Sequence, residues 1–96
     1  MDHNIGMFGR MRRWYLEEYR PDVWAELGRA GELSRHLVEI DTACYEQMAY
    51  LVSEMTEQEG VTEALKAEDP MTWVGRMNNI RSRAEEILLH DLVYAC

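Results

Sequence analysis

Three features of this 96-residue chain predict an all-α fold. Apolar residues recur every three or four positions over two long stretches, and glycine and proline stand where those stretches begin and end. No alternating, turn-bounded run offers a β-strand.

The elements follow in order. Phe8, Met11, Tyr15 and Tyr19 form a stripe with Trp14 and Leu16 beside it, giving a first helix that Pro21 ends. Pro21 itself suits the start of a short helix through Leu27, closed by Gly28 or Gly31. From Leu33, the residues Leu37, Ile40, Cys44, Met48, Leu51 and Met55 step by three or four along one helical face, and Val38, Tyr45 and Val52 repeat every seven residues beside it. Gly60 suits a left-handed end for this helix. Thr62 can cap a turn or two through Lys66. Asp69 and Pro70 then place a capping acceptor and an N1 proline before a second long stripe of Trp73, Met77, Ile80, Ala84 and Ile87, adjoined by Leu88 and Leu92.

The architecture expected is an elongated bundle with two long antiparallel helices, about 32–59 and 70–94, plus two or three shorter ones. At about 1.5 Å per residue the long helices would run roughly 42 and 37 Å. A compact chain of this size has a radius of gyration of about 12.5 Å, too small to hold them. They must pair lengthwise, kink or meet a partner. Residues 1–96 are read as a single domain around one core, because the length leaves no room for two.

Composition narrows the function classes. The formal charge is −8, and 47% of residues are hydrophobic, yet no run approaches the roughly 18 apolar residues of a membrane helix. Met1-Asp2-His3-Asn4 lacks a signal-peptide pattern, so a cytoplasmic protein without membrane partners is expected. Residues 21–59 hold nine acids against Arg29 and Arg35, so the negative excess is concentrated mid-chain. Glu39, Glu46, Glu54 and Glu57 are the candidate acidic face. Arg10, Arg12, Arg13 and Arg20 near the amino end are a candidate basic patch, with Glu17 and Glu18 close by. Nine of the ten basic residues are arginine, the side chain suited to bidentate and stacked contacts.

Motifs for catalysis are lacking. Cys44 lies in a helical stripe and reads as a buried small hydrophobe, and Cys96 as a frayed terminal thiol. In a reducing compartment the two are not expected to pair. His36 with Glu39, and Glu86 with His90, resemble a carboxylate di-metal site only loosely: one spacing is reversed and the other is one residue too long. The seven methionines, at helical spacing, read as core filler. No catalytic residue, metal or cofactor is assigned, and an enzyme is not expected.

The segment from Trp73 to Ile87 is the most unusual. Gly75, Asn78, Asn79 and Ser82 are weak helix formers inside a strongly patterned helix. Gly75 would allow close helix approach, and Asn78 or Asn79 would bridge backbones in a polar core layer. Alternatively, Arg76, Asn78, Asn79, Arg81 and Arg83 form a partner-binding surface.

Together GRMRRWYLEEYRP, GELSRHLVEID, EGVTEALKAEDPMTWVGRMNNIRSRAEEIL and HDLVY, in this order and spacing, resemble the TnpV family of transposon-encoded proteins over roughly Ile5 to Tyr94. The resemblance implies an element carried by Firmicutes-type bacteria and supplies no catalytic residues. Family members commonly carry an extra amino-terminal stretch, and this chain begins almost at the Gly9-Arg10-Met11-Arg12 segment.

Three functions follow as expectations. The first is a non-enzymatic accessory or regulatory protein of a mobile element, acting through protein contacts with a partner or as a homodimer. The second is an anti-defence inhibitor of anti-CRISPR type, its acidic helix imitating nucleic acid. The third, less favoured, is DNA binding through the amino-terminal arginines. The turn at Gly28–Gly31 precedes an acidic helix that would be repelled by the groove.

Overall fold

A computed structural model describes residues 5–95. Met1 to Asn4 and Cys96, including the terminal thiol considered above, lie outside the described residues. Five α-helices follow one another: α1 (Met7–Tyr19), α2 (Pro21–Ala30), α3 (Leu33–Gln58), α4 (Glu63–Glu68) and α5 (Pro70–Leu88). A π-helical turn, Leu89–Val93, continues α5. The fold is all-α, with no strand among the described residues.

The helix boundaries lie where the local chemistry puts them. Gly31 (φ +72°) and Gly60 (φ +68°) take the left-handed conformation that ends α2 and precedes the loop after α3. The Thr62 hydroxyl accepts from the Leu65 amide at the start of α4. A carboxylate oxygen of Asp69 accepts from the Thr72 amide at 3.2 Å, and Pro70 opens α5.

The chain is a rod of 55 × 22 × 18 Å with a radius of gyration of 16.7 Å. Its spine is α3, and α5 runs antiparallel to it. Met77 and Ile80, midway along α5, pack with Val52 and Met55, whereas Leu88 and Val93 pack with Cys44 and Met48. Two small cores result. One joins Phe8 of α1 to Cys44, Leu88 and Val93, and the other joins Val61 to Met77 and Ile80.

The end of α5 departs from the predicted apolar stripe. The core positions are Ile80, Ala84, Leu88 and Val93, and Ile87 is 40% exposed. A regular α-helix would rotate Val93 away from Leu88. The Tyr94 amide donates to the Leu89 carbonyl at 2.8 Å, and this wider turn returns both side chains to the core.

The start of α1 is held from a distance. Its N-cap is Gly6, which has no side chain to cap the free amides. Asp41 of α3 supplies the acceptors: Oδ2 receives the Gly6 amide and Oδ1 the Gly9 amide, each at 2.9 Å. The Tyr45 hydroxyl accepts from the Met7 amide at 3.3 Å. A buried carboxylate at a helix amino end is also favoured by the helix dipole.

No helix among the described residues is long and apolar enough to cross a membrane.

Candidate protein-interaction surface

The three sets of charged residues marked out in the sequence have different fates. The amino-terminal arginines do not form one exposed patch. Arg12 is buried: its Nη1 donates to the Val93 carbonyl at 2.9 Å and to the Ala95 carbonyl, and its Nε donates to His36 Nε2 at 3.2 Å. It thus ties α1 and α3 to the end of the chain. Arg10 is exposed and donates to the Ile5 carbonyl, Arg13 is half-buried, and Arg20 pairs with Asp22 at 3.2 Å. Arg20 holds the Asp22 carboxyl below its ordinary range, chiefly through that hydrogen bond.

His36 answers to Arg12. Burial lowers its pKa and the Arg12 charge lowers it further, against an opposing effect of Glu39. Accepting the Arg12 N–H at Nε2 requires the neutral ring with its proton on Nδ1. Glu39 pairs with Arg35 at 3.1 Å, and His90 Nδ1 lies 2.9 Å from Asp91 Oδ1. No group of three His, Cys, Asp or Glu able to hold a metal ion occurs among the described residues.

The acidic set is a ridge. At about 100° per residue, Glu39, Glu46, Glu54 and Glu57 fall within about 80° of arc on α3, opposite its core side. Glu39, Glu46 and Glu57 are exposed and Glu54 half-buried. Tyr50 stands in the same ridge, 60% exposed.

The α5 set divides in two. Arg76, Asn79 and Arg83 lie along one side of the helix, and Asn78 and Arg81 lie on another, away from them. Arg83 pairs with Glu59 at 2.8 Å. The hydrogen bond lowers the Glu59 pKa, with the Arg76 charge assisting, and raises that of Arg83. Asn78 and Asn79 are both exposed, so they build no polar layer in the core. A Cβ on Gly75 would meet nothing within 4 Å, so this glycine serves no close helix approach. Its face is open, with Met71 81% exposed one turn before it.

Close helix approach occurs at Gly9 instead. A Cβ there would lie 2.9 Å from Ile5 Cβ and 3.1 Å from Asp41 Cβ.

One surface escaped the sequence reading as a site. Trp14, Tyr15, Tyr19 and Tyr94 line a shallow, mostly apolar hollow of about 330 Å³. Tyr15 bridges it, 5.6 Å from the Tyr19 ring and 5.2 Å from the Tyr94 ring. Trp14 meets Tyr19 edge to face at 5.4 Å. The Arg12 guanidinium lies 5.8 Å from the Tyr15 ring centre, bracing it from the protein side. Tyr15 and Tyr19 belong to one helical stripe in the sequence with Trp14 beside it, but Tyr94 comes from the chain's other end. Exposed aromatic side chains held by neighbours are the usual anchors of protein contacts.

The family model described as transposon-encoded protein TnpV matches residues 1–93. No curated protein and no solved structure matches the chain. The match spans both cores, the acidic ridge and the Trp14, Tyr15 and Tyr19 side of the aromatic hollow, stopping one residue before Tyr94, and the chain belongs to the TnpV family of transposon-encoded proteins.

Proposed function

We propose that this transposon-encoded protein is a non-enzymatic accessory or regulatory factor of its mobile element, working through protein contacts. The observation that carries the reading is the braced aromatic hollow of Trp14, Tyr15, Tyr19 and Tyr94. Trp14 and Tyr19 are 49% and 62% exposed, on a rod whose buried cores are small. Large aromatic side chains left in water, with their geometry already fixed, lose little freedom when a partner covers them.

The test is affinity capture from cells carrying the element, compared with Trp14→Ala/Tyr19→Ala protein. Enrichment of an element-encoded protein that the double variant loses supports the reading. Equal capture by both proteins, together with unchanged transposition when the gene is deleted, overturns it.

A second reading, inhibition of a host nuclease, is favoured by the ridge of Glu39, Glu46, Glu54 and Glu57. A line of carboxylates on a rigid helix steers association with a basic channel. Charge reversal at Glu39, Glu46 and Glu54 that left nuclease inhibition intact would end that reading. The arginine set favours DNA binding less, because Arg12 is internal and Arg20 is paired.

A further inference from the structure

Beside its core stripe, α3 carries a second line of side chains. Val38, Thr42, Tyr45, Ala49, Val52 and Thr56 follow at steps of 4, 3, 4, 3 and 4, an unbroken heptad seam without a charge. The first four are exposed and the last two half-buried. The core stripe steps 4, 3, 4, 4, 3, 4 from Leu33, as an ordinary helix face does. A strict seven-residue repeat is what lets one helix supercoil around another. The seam's central aromatic is fixed: Tyr45 meets Phe8 edge to face at 5.2 Å, and its hydroxyl accepts the Met7 amide.

From this we infer that α3 pairs in parallel with α3 of a second copy of the chain along this seam. The inference deepens the protein-contact reading above and rests on it. Charge chooses both the occupant and its direction. On the solvent side of the seam stand Glu39, paired with Arg35 at 3.1 Å, and Glu46, each following a seam residue. On the other side lies the start of α1. The Tyr45 ring abuts Gly6 there, and Arg10 reaches the neighbouring Ile5 carbonyl. In a parallel two-fold pair, the acidic flank of each copy faces the Arg10 flank of the other, twice over. In an antiparallel pair centred on the seam, the two acidic flanks would face each other with the Glu46 side chains of the two copies close together, and like charges would oppose it. Apart from Tyr45 the seam residues are small, so the dimer is expected to be reversible and dependent on concentration.

Sedimentation equilibrium over a dilution series tests this, with helix content followed by circular dichroism. The intact chain should show a monomer–dimer equilibrium. Ala49→Glu should weaken it by about thirtyfold or more, because it drives an unpaired charge into the seam. Thr42→Leu/Ala49→Leu should tighten it by about tenfold or more by filling the seam. Arg10→Glu or Glu46→Arg alone should weaken the dimer, and the two together should restore it. In a Cys96→Ser background, Thr42→Cys should crosslink to its own counterpart on oxidation. Preferential crosslinking of Thr42→Cys protein to Val52→Cys protein would overturn the parallel pairing. A monomer at every concentration, or an Ala49→Glu protein that dimerises as before, overturns self-association. A monomer whose capture of another protein is blocked by Ala49→Glu places a foreign helix on the seam and also overturns it. Loss of the dimer leaves element-protein capture through the aromatic hollow untouched, so the two proposals fail separately.

Discussion

Gly9 and Asp41 meet where α1 packs tightly on α3: the Gly9 amide donates to Asp41 Oδ1 at 2.9 Å, and no room is left for a Cβ on the glycine. Asp41 also takes the Gly6 amide, so one carboxylate fixes both the start of α1 and its distance from the spine. Asp41→Ala leaves both buried amides unanswered and should cost about 2–4 kcal/mol in urea unfolding. Asp41→Asn keeps one good acceptor and should cost less. Gly9→Ala should cost about 1–3 kcal/mol by forcing the helices apart. A neutral Asp41→Ala would show that α1 is held some other way.

Acid should loosen the Arg12 junction. His36 is held neutral in the folded chain, its pKa below the ordinary value of about 6.5. Its contribution to stability is therefore whole above about pH 6.5 and is lost as pH falls through the depressed folded value. The unfolding midpoint in urea should drop between about pH 7 and about pH 5, and His36→Gln should flatten that decline. An unchanged slope in the variant would assign the decline to other groups.

Cys44 should be chemically quiet. Burial raises its pKa, the Asp41 charge raises it further, and Arg12 opposes them. The thiolate that reacts with disulfide reagents is thereby suppressed. In Cys96→Ser protein, a thiol reagent should react slowly under native conditions and at once in denaturant. Rapid native reaction would mean that the Phe8–Cys44–Val93 core opens readily.

Two apolar neighbours at the end of α5, Ile87 and Leu88, face opposite environments. Leu88→Ala should cost about 2–5 kcal/mol, since Leu88 is only 2% exposed. Ile87→Ala should cost about 1 kcal/mol or less. Thermal or urea unfolding of the two variants distinguishes the buried neighbour from the exposed one, and the reverse order would put Ile87 rather than Leu88 in the core.

Much of the fold was legible because its signals are local. Gly60, Thr62, Asp69 and Pro70 act within a turn of their own positions, so spacing alone reveals them. The two long stripes predict elongation because neither helix fits a sphere. Asp41 was counted simply as one acid of an acidic block, because its partners, Gly6 and Gly9, are more than 30 residues away. Arg12 joined a supposed surface patch for the same reason, since its acceptors belong to His36 and the chain's last residues. Spacing puts Ile87 in the core, but at the end of α5 the buried side passes through Ala84 and Leu88, and spacing alone does not choose between two neighbouring apolar residues. The aromatic hollow is half visible in the sequence: Tyr15 and Tyr19 share a stripe with Trp14 beside it, but no local rule brings Tyr94 to them.

The rod shape has a hydrodynamic consequence. A body of 55 × 22 × 18 Å experiences more friction than a sphere of the same 11.3 kDa. On a sizing column the monomer should elute ahead of globular standards of equal mass. Two rods joined side by side along α3 are less asymmetric than either alone. Dimerisation should therefore move the elution position by less than a doubling of mass suggests, while light scattering registers the full doubling.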